Sequence, residues 1–296
     1  MNITDVSGVI VPSITPVDAY DRLDEQAFRL HLSYLVDAGV HGIFVAGTAG
    51  EGPLLTFREW QRTLEVACEV CHGKTLLLGG ALDTSTARVI ERVHVLAAIG
   101  YQNFVVAPPF YLKLRFEEEH LRFFSGCLEA GGDMNMIPYN IPSCTGSVIP
   151  VSVMYEMVSR GWINSCKESS ENLTYLSRLL TRCQTAGLRV LIGTELNAMA
   201  GLLMGAQGLV PACANFEPGT FTAAYDARND PQRLGVLQDR MTKLVLNVVL
   251  GPRSWLAGVK YAASRRRGLS DRPISPTEPL NSVEQGEIDS FLAKEY

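Results

Sequence analysis

Lys167 is the residue of this sequence best placed to do covalent chemistry. The chain has six lysines, Lys74, Lys113, Lys167, Lys243, Lys260 and Lys294. Five of them lie next to turns, in polar-flanked helical stretches or near the C-terminus, where a solvated ammonium is the ordinary expectation. Lys167 instead lies in the short run INSCKE (163–168), which reads as a β-strand. If it points into an interior walled by apolar strands, its ammonium is poorly solvated, and a larger neutral fraction of the amine is left to attack a carbonyl. Neighbouring strand residues face opposite ways, so Glu168 is badly placed to neutralise it.

Chemistry through an imine also needs an acid/base group and a cradle for an anion. Tyr139, near the end of the run MNMIPYN (134–140), offers a phenol that could dehydrate a carbinolamine and later carry the proton of a substrate hydroxyl. The turn GTAGEG (47–52) offers backbone N–H groups that can approach an anion closely, because glycine permits unusual dihedrals. Further polar groups gather where other apolar runs end: Phe110 and Tyr111, then Thr194 and Glu195, then Asn215.

Such residues need a scaffold that brings strand ends together. Short apolar runs alternate with helical-period segments, the pattern of βα units around a parallel sheet. Eight strand candidates follow one another: GVIVPS (8–13), GIFVAGT (42–48), TLLLGGA (75–81), NFVVAPP (103–109), MNMIPYN, INSCKE, RVLIGT (189–194) and GLVPACA (208–214). Helical spacing fills the gaps, as in EQAFRLHLSYLVDA (25–38) and from Thr84 to Gly100. Eight units in about 225 residues predict a (β/α)8 barrel rather than a doubly wound sheet, and no GxGxxG follows the first run. The catalytic barrel is expected to occupy residues 1–225. Residues 226–296 are expected to form a C-terminal helical domain of three helices, with the proline-rich connector DRPISPTEPL (271–280) before the last. In a barrel the site lies at the C-terminal ends of the strands, where the polar residues above are concentrated.

Composition narrows the remaining possibilities. With 47% hydrophobic and 19% charged residues the chain can fill a large core, and a net charge of −5 provides no field for nucleic acid. No apolar run approaches the length of a membrane span, and the opening MNITDVSG does not resemble an export signal, so the cytoplasm is the expected location. Seven cysteines, an odd number, argue against a disulfide framework. Cys68 and Cys71 form a CxxC without a second pair and read as small helix-facing hydrophobes. The five histidines lack metal-ligand spacing, so no metal is expected. The run Arg265–Arg267 reads as a solvated helix end.

Together these motifs resemble the pyruvate-dependent class I aldolase and lyase superfamily typified by dihydrodipicolinate synthase and N-acetylneuraminate lyase. The likeness covers nearly the whole chain. It rests on GTAGEGPLLTFREW (47–60), APPFY (107–111), YNIPSCTG (139–146), CKESSEN (166–172) and GLVPACANFEP (208–218). The resemblance implies that Lys167 forms an imine with pyruvate or another 2-oxo acid and that Tyr139 is the catalytic phenol. It implies that Thr48 and Tyr111 complete a proton relay, with Tyr111 supplied across a subunit interface. Backbone at Thr48 and Ala49 would hold the carboxylate, and Gly193 and Val210 would line the pyruvyl pocket. It further implies a homotetramer built as a dimer of dimers, and no cofactor beyond the lysine.

Three departures bear on the substrate. Cys144 stands where the synthases have an arginine that recognises the carboxylate of the aldehyde partner, and a neutral thiol does not replace a guanidinium. Ser169 stands where they have alanine and where sugar-acid lyases have Ser or Thr, which can bond a substrate hydroxyl. Ala49 replaces a second threonine and removes one side-chain contact to the carboxylate. The expected activity is therefore cleavage of a 2-oxo-3-deoxy sugar acid, or a related 4-hydroxy-2-oxo acid, to pyruvate and an aldehyde. The alternatives are dihydrodipicolinate synthase condensation, dehydration of a 2-keto-3-deoxy sugar acid, and a non-catalytic barrel that binds a sugar acid.

Overall fold

The computed structural model describes residues 6–295. Residues 1–5, on which part of the export-signal expectation falls, lie outside them. The strands are β1 (Gly8–Pro12), β2 (Gly42–Val45), β3 (Leu76–Gly80), β4 (Asn103–Val106), β5 (Asn135–Asn140), β6 (Ser165–Glu168), β7 (Arg189–Ile192) and β8 (Gly208–Leu209). They pair in parallel in chain order and close into a barrel, with Gly8 opposite Gly208 and Val9 opposite Leu209. The expected (β/α)8 barrel with a C-terminal helical extension is the observed fold.

The helices around and beyond the barrel are α1 (Glu25–Asp37), α2 (Phe57–Cys71), α3 (Thr86–Ile99), α4 (Glu117–Gly131), α5 (Pro142–Thr145), α6 (Val151–Ser159), α7 (Leu173–Cys183), α8 (Ala198–Leu203), α9 (Pro218–Asp226), α10 (Pro231–Leu244), α11 (Trp255–Arg267) and α12 (Ser282–Glu295). Six of their starts are written in the sequence. Side chains of Asp24, Thr56, Ser85, Asn172, Asp230 and Ser254 each accept a first-turn N–H, which otherwise has no partner. A π-helical turn, Val245–Val249, continues α10 toward α11. Among the described residues no helix is long and apolar enough to cross a membrane.

Two apolar layers hold the barrel. The larger lies between strands and helices and includes Phe28, Trp60, Phe104, Phe124 and Phe221. The smaller fills the barrel and contains Ile10, Phe44, Leu78, Ile137 and Leu191, together with Tyr139 and Val210. Cys68 and Cys71 lie on α2, and burial pushes the Cys71 thiol up to about 12, so it behaves as a hydrophobe.

Three expectations need correction. The eighth run is a strand only over Gly208–Leu209: Pro211 has no N–H for the ladder, and Ala212–Asn215 turn into a 3-10 helix. Closure there falls to the buried Asn215 side chain, whose Oδ1 accepts from Ile14 N (3.0 Å) and whose Nδ2 donates to Pro12 O (2.9 Å). Lys260 is not solvated but wholly buried, because α11 is covered on all sides from Leu256 to Ala263. Arg267 is half-buried, unlike the exposed Arg265 and Arg266. It donates to Asn215 O and stacks 4.1 Å from the Tyr34 ring centre.

His31 on α1 is buried beneath this closure, and its Nε2–H donates to Asn215 Oδ1 (3.0 Å). Burial, reinforced by the nearby Arg267 charge, brings its pKa from 6.5 to about 3. Below pH 6.5 the unfolded chain takes up a proton that the folded chain refuses until about pH 3. Stability from this group is thus complete above 6.5 and falls by about 1.4 kcal/mol per pH unit down to that lower limit. Thermal unfolding of His31→Gln should therefore show a smaller loss of Tm between pH 7 and pH 4 than the wild type. An equal loss in both proteins would show that His31 does not set the acid limit.

Candidate active site

β5 and β6 pair with Tyr139 opposite Lys167 and Asn140 opposite Glu168. Residues opposite one another in a ladder share a face, so the register sends Lys167 and Tyr139 together into the barrel and their neighbours the other way. Lys167 is 5% exposed and Tyr139 2%. The Lys167 Nζ stands 4.1 Å from the centre of the Tyr139 ring and 5.1 Å from that of Phe44. On the opposite face Glu168 accepts from Asn140 Nδ2 (2.7 Å) and Ser170 N (2.6 Å), and Asn140 Oδ1 accepts from Ile149 N (3.0 Å). Burial raises the Glu168 pKa against the pull of these bonds. Glu168 is thus committed to tying strand ends together and leaves Lys167 to the interior.

Gly193, just beyond β7, makes room for the lysine. Its N–H donates to Glu168 O (2.8 Å), and a Cβ there would run into Ser169 Oγ and come within 2.8 Å of Lys167 Cε. Ser169 N donates to Asn140 O (2.9 Å), while its Oγ is buried with no hydrogen-bond partner among the described residues. Such an orphaned hydroxyl costs about 1–3 kcal/mol unless a ligand completes it. Val210, from the interior layer that holds Tyr139, is fixed by its N–H to Ile192 O (2.7 Å).

Residues 46–52 fold back on themselves above these strands. Gly52 N donates to Gly47 O (3.0 Å), Glu51 N to Thr48 O (3.1 Å), and Thr15 Oγ1 to Gly50 O (2.8 Å). Ala46 and Glu51 both have φ of 54°, a strained value for residues with a Cβ. Gly52 must be glycine, since a Cβ would collide with Ala46 O. Thr48 is half-buried and Ala49 buried in this loop.

Sequence reasoning used this loop for its N–H groups and for Thr48 and gave its acid no role. The Glu51 carboxylate is wholly buried and accepts from Lys260 Nζ on α11 and from Ile274 N (2.6 Å). Burial pushes the Glu51 carboxyl up and the Lys260 ammonium down, while each one's charge opposes the other's shift. The available signal was a lone lysine inside the apolar stretch WLAGVKYAA, in a chain with one unmatched acid in a glycine turn.

Glu195 is a second acid with a structural task. It is buried at the end of β7, accepts from Cys213 N (3.0 Å), and so holds the turn after β8. Tyr111 does not join Lys167 and Tyr139 within one chain: it is 92% exposed, with φ of 81°. A cavity of about 340 Å³ opens at this end of the barrel beside Thr48, Ala107, Ile141 and Cys144. The Cys144 thiol is exposed at its edge on α5, where partial desolvation raises its pKa and the Lys167 charge opposes the rise. Among the described residues, no group of three or more His, Cys, Asp or Glu is placed to hold a metal ion.

The chain matches the dihydrodipicolinate synthetase family over residues 5–295. It is 31% identical to a 4-hydroxy-tetrahydrodipicolinate synthase of Methanothermobacter thermautotrophicus, over 72% of this chain and 76% of that protein. An Escherichia coli K12 prophage protein of the dihydrodipicolinic acid synthase family, solved in complex with pyruvate, superposes with a TM-score of 0.91 at 22% identity, covering 98% of each chain. A 2-keto-3-deoxygluconate aldolase variant of Sulfolobus solfataricus superposes with a TM-score of 0.86 at 20% identity, covering 97% of this chain and 96% of that one.

Lys260→Met leaves the Glu51 carboxylate buried without its counter-charge, which is expected to cost about 3–5 kcal/mol in urea unfolding. The double variant Glu51→Gln/Lys260→Met should recover more than half of that loss. A single variant as stable as the wild type would show that the pair does not hold the loop.

Proposed function

This chain belongs to the dihydrodipicolinate synthetase family, and we propose that it is a Schiff-base-forming lyase. In this reading it cleaves a 2-oxo-3-deoxy sugar acid, or a related 4-hydroxy-2-oxo acid, to pyruvate and an aldehyde. The observation that carries the proposal is the buried, in-register pair of Lys167 and Tyr139 on the barrel's inner face, with space kept clear beside the lysine by Gly193. The pyruvate held by the Escherichia coli relative supports a 2-oxo acid as ligand.

In the proposed cycle the Lys167 amine adds to the 2-oxo carbon, and Tyr139 protonates the departing hydroxyl so that water leaves and an iminium forms. Backbone N–H groups at Thr48 and Ala49 hold the substrate carboxylate, and Gly193 and Val210 line the pyruvyl group. Tyr139 then takes the proton of the 4-hydroxyl, the C3–C4 bond breaks, and its electron pair passes into the iminium to give an enamine. The aldehyde leaves, C3 is protonated, and water releases pyruvate. The iminium is the electron sink, so the proposed chemistry calls for no metal or other cofactor. Ser169 Oγ, without a hydrogen-bond partner among the described residues, is the group to receive a substrate hydroxyl. Thr48 and Tyr111 complete the relay, Tyr111 from a neighbouring subunit of a homotetramer built as a dimer of dimers, which accords with its exposure.

The Methanothermobacter relative favours a second reading, condensation of pyruvate with aspartate semialdehyde. Cys144 weighs against it, because an exposed thiol offers no bidentate partner for the carboxylate of that aldehyde.

Borohydride added with pyruvate should place a reduced pyruvyl adduct on Lys167, detected by peptide mass spectrometry, and Lys167→Ala should show none. Tyr139→Phe should still trap pyruvate but lose about 10²–10⁴-fold in turnover. Absence of an adduct on the wild type would overturn the Schiff-base reading in favour of a binding barrel. Release of a dehydrated 2-oxo acid without pyruvate would replace cleavage by dehydration.

A further inference from the structure

We infer that the aldehyde half of the substrate is apolar, with an aliphatic or aromatic substituent that carries neither charge nor hydroxyl groups. This rests on the Schiff-base reading above and takes the second of its two substrate classes, the 4-hydroxy-2-oxo acid, in place of the sugar acid.

The cavity beside Thr48 starts from the loop assigned to the substrate carboxylate and runs past the ends of β3, β4 and β5 to the first turn of α11. Its volume of about 340 Å³ is ample for a small organic group. Apolar residues form most of its wall, among them Leu82, Ala107, Phe110, Ile141, Trp255 and Leu256. Leu82, Ala107 and Ile141 belong to the interior apolar layer that contains Tyr139, and Phe110 packs against it, so the cavity abuts the layer that holds the reacting pair, and Cys144 at its edge feels the Lys167 charge.

The polar side chains along the wall are few, and two of them are engaged within the protein. Glu51 is held by Lys260 and Ile274 N. Thr145 Oγ1 bonds Ile141 O (3.1 Å) and Ser147 O (3.0 Å) and accepts from Ser147 N (3.2 Å). That leaves Thr48, already assigned to the 2-oxo acid, the weakly bonding thiol of Cys144 and the single indole N–H of Trp255 at the partly exposed rim. A chain of hydroxyls placed here would give up its bonds to water without replacement, whereas an apolar group would gain by leaving water. One hydroxyl does have a place: the unpartnered Ser169 Oγ, nearer the lysine, suits the single 4-hydroxyl that every substrate of this class carries.

The reverse reaction offers a direct test. The Lys167 enamine of pyruvate donates its C3 electron pair to the aldehyde carbon, the new alkoxide takes a proton, and water releases the 4-hydroxy-2-oxo acid and restores the amine. Purified full-length protein with pyruvate is given benzaldehyde, 2-methylpropanal, glyceraldehyde, erythrose or aspartate semialdehyde, and initial rates are read by mass spectrometry of the product. Borohydride trapping of pyruvate is run in parallel.

The expected result is kcat/KM at least about tenfold higher for the two apolar aldehydes. Trp255→Ala, at the partly exposed rim, should shrink the ratio of benzaldehyde to glyceraldehyde. Pyruvate trapped on Lys167 together with a preference for a polyhydroxylated or acidic aldehyde overturns this inference and leaves the Schiff-base reading standing. An unchanged ratio in a folded Trp255→Ala also overturns it, because the preference would then not come from this cavity. A wild type that traps no pyruvate overturns both.

Discussion

A buried carboxylate needs a cation, and the one for Glu51 comes from 209 residues further along the chain. Lys260 crosses from α11 into the end of the barrel to meet it, with both side chains shut off from water. Separating such a pair is costly, although an apolar replacement of both partners can match its stability. Placement is therefore what the pair contributes in addition to energy. It holds Glu51 in a left-handed conformation it would otherwise avoid. Through the backbone it also fixes Thr48 and Ala49, three and two residues away. The C-terminal helices thus belong to the architecture of the site although they lend it no reacting group.

The reacting pair obeys a simpler constraint. Strand alternation and the β5–β6 register together decide that Tyr139 and Lys167 meet inside the barrel while Asn140 and Glu168 meet outside it. One set of side chains is left free and the other is bonded into the scaffold. A register shift of a single residue would exchange the two sets.

Much of this was legible in the sequence because it depends on local pattern. All eight strand runs form strands, and the helix caps follow from single Ser, Thr, Asp and Asn residues. Six of the eight strands end earlier than their apolar runs do, since residues such as Ala46 and Gly193 leave the ladder to build the rim, whereas β5 and β6 run to the ends of theirs. What escaped were properties created by packing between distant elements. The lone lysine in the apolar stretch of WLAGVKYAASRRR is the one hint that α11 is covered on every side, and by composition alone Lys260 resembles an ordinary surface lysine. Arg267 was grouped with its exposed neighbours, although it reaches back to Asn215. The character of the cavity wall was equally hidden, because its residues come from several strand ends and one remote helix.

The span between Glu51 and Lys260 also bears on synthesis. A ribosome makes the barrel strands well before it reaches α11, so every growing chain passes through a stage in which the loop has its acid and not yet its base. During that stage, burial of Glu51 as a charge is disfavoured, and the loop stays open or takes up a proton. Fragments that stop short of α11 remain in that condition. The rim of the site is therefore completed only once α11 has been made, and a barrel terminated before α11 is kept from assembling it.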